Sequence, residues 1–383
     1  MSHIQSNKYL LKATYKMNSH YTLYGWQLSY FAGKIRGYLN FKGIPYTDNN
    51  VNAFNLLYRI PKKIGVMVMP VVRDAKGDWL QDSSIIIDVL EQRFPKDSVI
   101  PHSPKQRVAS KLLEAWADEW WIPIGLHYRW SYPENYPLFI NDASKALLPY
   151  VPNFIRRPMA KKIAKKMHDF LPSSGVRSNQ IEMIERWTNK VLDMLEQHFS
   201  CYKFLFGDKP SIADFALLGP LYGHLNRDPV PKRTLLDTRP NLQQWVERTH
   251  SGEGKMGDYL ANDEIPDSVM EILNVIGSEF IPMSKSIVTE LRAFITTHHL
   301  KSGDKLPRSV GQARCFMDGE PFSRAAMPYT VWMLQRIQKE FTSLDNQTKK
   351  QVDEFTCTFM NEPFSELDLG PALTRRNVAT QLS

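Results

Sequence analysis

Val68-Met69-Pro70-Val71-Val72, followed by Leu80-Gln81-Asp82-Ser83-Ser84-Ile85, constrains this 383-residue chain more than any other stretch. Proline has no backbone N–H, so Pro70 between two β-branched runs cannot sit in a central strand ladder. It marks either a special turn or a strand edge held open for another backbone. Asp82-Ser83 then reads as the polar start of a helix, where free N–H groups and the helix dipole favour a carboxylate.

The surrounding pattern is that of a small α/β unit. Residues 21–25 read as a strand, 30–42 as a helix, 44–48 as a strand, and the chain to 64 as a loop. Strands at 66–73 and 78–80 and a helix over 82–93 follow. Strands alternating with helices imply parallel pairing, and Asp74-Ala75-Lys76-Gly77-Asp78 supplies a hairpin turn with glycine where φ is positive. Beyond Pro101 the signals are almost wholly helical, over 105–121, 180–200, 211–225 and 241–249. Ser211-Ile212-Ala213-Asp214 has the spacing of a capping box, with Phe204-Leu205-Phe206 as apolar residues ahead of it. After a boundary near 253–257, residues 268–281, 284–297 and 325–341 read as helices. Arg314 to Arg324 reads as a hairpin turning at Asp318-Gly319.

In this order the segments resemble the glutathione transferase superfamily over roughly 230 residues. The match rests on Met69-Pro70, on Asp82-Ser83, on Phe204 to Phe215 with its capping box, and on Asp237 to Trp245. It also rests on Ser29-Tyr30-Phe31-Ala32-Gly33-Lys34-Ile35-Arg36, similar to the serine motif of theta, tau and zeta members, with Tyr30 where proline is usual. The resemblance implies an α+β, mostly helical protein. A thioredoxin-like domain (21–97) follows a flexible leader (1–20), and an all-helical domain (104–254) and a helical extension (256–383) come after it.

The resemblance also implies a site. Glutathione would lie along Met69 and Pro70, with its charged end at Asp82 and Ser83. Ser29 would donate a hydrogen bond to the thiol sulfur; Tyr24, ending the first strand, is the alternative hydroxyl. Lowering a thiol from pKa about 8.5 by about two units takes only about 2.7 kcal/mol, within reach of one hydrogen bond and a helix end. The ring-rich segment containing Trp116, Trp120 and Tyr128 would line a pocket for an apolar electrophile, though aromatics at helical spacing commonly build core. The implied activity is conjugation of glutathione, as co-substrate, to that electrophile. A glutathione-dependent isomerase, reductase or dehalogenase and a non-catalytic scaffold with the same fold are the alternatives. A homodimer is implied by the resemblance alone.

Composition narrows the field further. Cys201, Cys315 and Cys357 lack metal or dithiol spacing, so no metal is expected, and they suit a reducing, cytoplasmic setting. No run is long and apolar enough for a membrane span. The net charge of +8 is concentrated at Arg156, Arg157, Lys161, Lys162, Lys165 and Lys166. Without any nucleic-acid motif these read as a solvated helix face. The acid-free, lysine-bearing start of the chain faintly suggests organelle targeting, and an unstructured tail is the plainer reading.

Overall fold

The computed structural model describes residues 20–376 and 378–383, so the expected leader lies almost wholly outside the described residues. Four strands form the first sheet, in the order β2 (Tyr46–Asn50), β1 (Tyr21–Gly25), β3 (Val71–Arg73), β4 (Trp79–Gln81). β1 runs parallel to β2 and antiparallel to β3, and Leu23 pairs with Val72 and Tyr24 with Val71. Successive side chains in a strand take opposite faces, and here both faces are covered. Leu23 and Val72 pack with Ile35, Leu39 and Ile87 of helices α1 (Tyr30–Lys42) and α3 (Ser83–Arg93). Tyr24 and Val71 pack instead with Leu56, Ile60 and Leu147.

Three details differ from the expectations drawn from the sequence. Residues expected to be loop before 64 form a π-helical turn, Asn55–Arg59, running into α2 (Ile60–Ile64). The strand expected over 66–73 is only three residues long, because Pro70 has no N–H for the ladder and Val66 and Met67 are exposed. The strand expected over 44–48 begins at Tyr46, after Gly43 closes α1 at φ 63°.

The helical domain comprises α4 (Pro104–Glu119), α5 (Ile122–Trp130), α6 (Tyr136–Leu147), α7 (Asn153–His168), α8 (Ile181–Cys201), α9 (Ile212–Pro220) and α10 (Pro240–Ser251). The capping box forms at α9 and does more than start it. Asp214, fully buried, accepts from the backbone of Ser211 and Leu205 and from the indole of Trp245. One carboxylate thereby joins the loop at 204–206, α9 and α10.

The extension is not wholly helical. It consists of α11 (Asp267–Val275), α12 (Ile281–His298), α13 (Pro328–Thr342) and α14 (Asn346–Met360), together with two hairpins. The first pairs β5 (Gln312–Met317) with β6 (Glu320–Ala325) and turns at Asp318 and Gly319, as the sequence indicates. The second pairs β7 (Leu373–Arg376) with β8 (Ala379–Leu382). This second hairpin has no counterpart among the expectations from the sequence, since alternation over four residues per arm is too short to stand out from a loop. The extension shares one continuous core with the helical domain, in which Trp120 meets Phe280 and Phe322 edge to face. Polar ties run to the first domain and to α4: Arg336 to Asp88, and Glu340 to Arg107 and Lys111.

Candidate functional site

The Met69-Pro70 bond is cis, and Met69 itself is half-buried at the wall of a cavity of about 460 Å³. Four residues singled out in the sequence meet there: Met69, Pro70, Asp82 and Ser83. Met69 makes no backbone hydrogen bond among the described residues outside the regular elements. Asp82 caps α3 with φ 73°, and its Oδ1 accepts from the N–H groups of Ser84 and Ile85. That conformation, costly for a residue with a Cβ, turns the carboxylate over the helix start.

Directly behind this cap lies an ionic cluster that periodicity could not reveal. Lys34, fully buried, donates to Asp118 Oδ2 at 2.6 Å, Glu114 Oε1 at 2.9 Å and Ser84 Oγ at 3.2 Å. Burial opposes the lysine's charge, but Asp118 and Glu114 outweigh it and hold its pKa above the ordinary value. Burial pushes Asp118 up, with Lys34 only partly offsetting it. For Glu114 burial acts the same way, but Lys34 and Arg336 prevail and hold it low. The lysine of the Ser29-to-Lys34 motif thus fastens α1 and α3 to α4.

Ser29 caps α1 from outside the cavity. Its Oγ accepts from Ala32 N at 3.4 Å, and the cavity wall is reached instead by Phe31. Its backbone is fixed from both sides. Arg129, buried in the helical domain, donates to the carbonyl of Leu28 at 2.7 Å, to that of Gly223 and to Asp228. A Cβ on Gly223 would come within 3.2 Å of the backbone of Ser29 and Tyr30, tighter than ordinary contact, so glycine lets the two segments lie this close without displacement. Tyr30, standing where the motif usually has proline, is buried, and its hydroxyl donates to the carbonyl of Ala117. Tyr24 is buried too, stacked on Trp79 at 5.1 Å between ring centres.

The expected aromatic pocket residues lie elsewhere. Trp116 and Trp120 are fully buried and Tyr128 is 3% exposed, all in the core and none at the cavity. Apolar lining comes instead from Phe31, Val66, Met67, Ile122, Leu306 and Met327. Among the polar side chains that the extension brings to the cavity, two reach Asp82. Tyr329 donates its hydroxyl to Asp82 Oδ1 at 3.1 Å, and Arg375 of β7 donates to Asp82 Oδ2 at 3.0 Å. A third new group is Glu119, whose carboxyl burial pushes up to about 7, with Arg324 and the Thr330 hydroxyl partly offsetting it. None of these had a spacing or motif that would single it out, because Tyr329 and Arg375 enter from the extension and Glu119, at the end of α4, meets its partners Thr330 and Arg324 there.

Among the described residues no three or more His, Cys, Asp or Glu side chains gather in a way that could hold a metal ion. No helix among them is long and apolar enough to cross a membrane. The basic residues of α7 lie largely on its outer side, with Lys165 paired to Asp169.

Residues 23–98 match the family model for the glutathione S-transferase N-terminal domain, and residues 145–253 match that for its C-terminal domain. Among solved structures, a glutathione S-transferase from Rhodospirillum rubrum is 16% identical; the match covers 66% of this chain and 99% of that one, with TM-score 0.39. The β-etherase LigF from a Sphingobium strain is 19% identical, with 61% and 98% covered and TM-score 0.41. A glutathione transferase from Phanerochaete chrysosporium is 17% identical, with 62% and 98% covered and TM-score 0.42. The matched segments fall in family order on the sheet, its proline loop and the capped helix, so residues 23–98 and 145–253 carry the N-terminal and C-terminal domains of the glutathione S-transferase superfamily.

Proposed function

We propose that the cavity binds glutathione and that the protein is a glutathione-dependent transferase acting on an apolar electrophile. The observation carrying this reading is the convergence of Met69, Pro70, Asp82 and Ser83 on one cavity that the apolar side chains of Phe31, Ile122 and Met327 also line. In this arrangement Met69 pairs with the peptide backbone of the ligand, a single rung of strand addition. Ser83, through its hydroxyl and its own backbone N–H at the start of α3, takes the glutamyl carboxylate. The thiol points toward the start of α1, where Ser29 donates to sulfur after giving up its bond to Ala32. The electrophile lies against the apolar wall rather than against Trp116, Trp120 or Tyr128. The protein works in the cytoplasm as a homodimer, whose interface uses faces other than those of α3 and α4 tied to the extension.

A second reading, a glutathione-binding protein without transfer activity, is favoured by one fact: Ser29 does not line the cavity. The two are separated by calorimetric titration with glutathione, then by the ultraviolet absorbance of bound thiolate against pH. Binding, with a bound thiol pKa lowered by about two units and restored in Ser29→Ala, supports transfer. Binding with an unshifted thiol leaves the second reading, and no heat at millimolar glutathione rejects both.

A further inference from the structure

Asp82, the one acid in the cavity able to meet a peptide's ammonium group at the start of α3, is already engaged. Oδ1 takes Ser84 N and the Tyr329 hydroxyl, and Oδ2 takes Arg375 Nη2. The ion pair is sheltered, with the Asp82 and Arg375 side chains only 4% and 10% exposed. Nor is Arg375 a loose surface side chain that happens to reach inward. Its other Nη donates to the carbonyl of Val378 and to Thr380 Oγ1, and its guanidinium lies 4.5 Å from the Tyr329 ring centre and 5.6 Å from that of Trp332.

The hairpin carrying it is itself anchored. Leu306 N donates to Thr380 O at 2.9 Å, and Leu373 N donates to the Gln335 side chain at 2.9 Å. Planar, weakly hydrated guanidinium suits such a stacked, sheltered pair better than an ammonium does. A second cation brought to Asp82 would either displace this assembly or share one carboxylate with it, and unpaired charge in a sheltered place is strongly disfavoured.

We propose that Arg375 is a specificity-determining residue of the cavity: it fills the ammonium subsite from within the chain, so that ligand selection no longer depends on a free α-amine. The inference rests on the glutathione reading above. It predicts a protein that holds the backbone, carboxylates and thiol of the tripeptide while being indifferent to the charge at its amino end.

The test compares glutathione with glutaryl-cysteinyl-glycine, which lacks only the ammonium, by calorimetry on the full chain. Wild type should bind the two within about twofold, the scatter of uncoupled changes. Arg375→Ala frees Asp82 and should prefer glutathione by about tenfold or more, equivalent to about 1.4 kcal/mol. The preference should vanish in Arg375→Ala/Asp82→Asn. Circular dichroism checks that each variant folds. Arg375→Gln, which keeps a donor for Asp82, replaces the alanine variant if that one does not fold, and should shift the preference the same way by a smaller factor. A tenfold preference for glutathione in wild type, or no gain in the folded variants, overturns the inference while leaving the glutathione reading standing. Failure of either peptide to bind any of the proteins rejects that reading and this inference with it.

Discussion

Replacing Lys34 with methionine should be among the most damaging changes in the protein, and its cost should depend on pH in a defined direction. Methionine nearly preserves the length and volume of the side chain, so packing losses stay small. What disappears is the cation between two buried carboxylates at 2.6 and 2.9 Å. Removing one partner of a buried pair costs about 3–5 kcal/mol. Here two acids are stranded, and Arg336, 3.9 Å from Glu114, is the closest remaining cation paired with either. A loss of about 4 kcal/mol at pH 7.5 is expected, a large part of the stability of an ordinary domain. Without Lys34 the buried pair should take up a proton, its folded pKa rising above the unfolded value. A group shifted in that sense contributes stability at low pH that is lost as pH rises through its folded pKa. Acidification should therefore rescue the variant by about 1.4 kcal/mol per unit for one proton taken up on folding. Between pH 7.5 and 5.5 the deficit relative to wild type should shrink to about 1–2 kcal/mol by the same arithmetic. Urea unfolding followed by tryptophan fluorescence measures both values. A deficit under about 1 kcal/mol at pH 7.5, or one unchanged at pH 5.5, would refute the assignment of Lys34 as the charge that holds this junction together.

Glu119→Gln tests the other buried acid at the cavity: with its folded pKa raised to about 7, Glu119 makes wild-type stability fall as pH rises from about 4.5 to 7. The variant should flatten that decline and gain about 2–3 kcal/mol at pH 8, read from urea midpoints across the range; parallel curves would be inconsistent with it. Trp120→Ala should cost about 3–5 kcal/mol through the cavity left among Trp187, Phe280 and Phe322, and a variant that kept its stability but lost activity would return Trp120 to the binding pocket.

The parts of the molecule legible in its sequence are those whose signals are local. Pro70 between valines, the Asp82-Ser83 cap and the Ser211–Asp214 box each act within a few residues, and each is formed. The aromatic residues of α4 and α5 were legible as a cluster but not as core or pocket, because helical periodicity identifies a buried face without saying what buries it. Lys34, Glu119, Tyr329 and Arg375 were illegible for a different reason. Their partners lie 80, 84, 211, 247 and 293 residues away along the chain, and a single sequence holds no record of such pairings. The second hairpin failed on length, having four residues in each arm.

Those separations also carry a kinetic consequence. Loop closure grows only logarithmically with chain length, adding about 0.6 kcal/mol per doubling, so the 293-residue link between Asp82 and Arg375 costs little at equilibrium. Rates are less forgiving, because contacts between distant segments must wait until the pieces carrying them have formed. The sheet, the capped helices and the Lys34 junction can assemble without β7. A refolding chain should therefore pass through a stage with a formed sheet but an open-sided cavity whose Asp82 still lacks its guanidinium. The cavity in its final form is then a late product of folding, completed by the segment that arrives last.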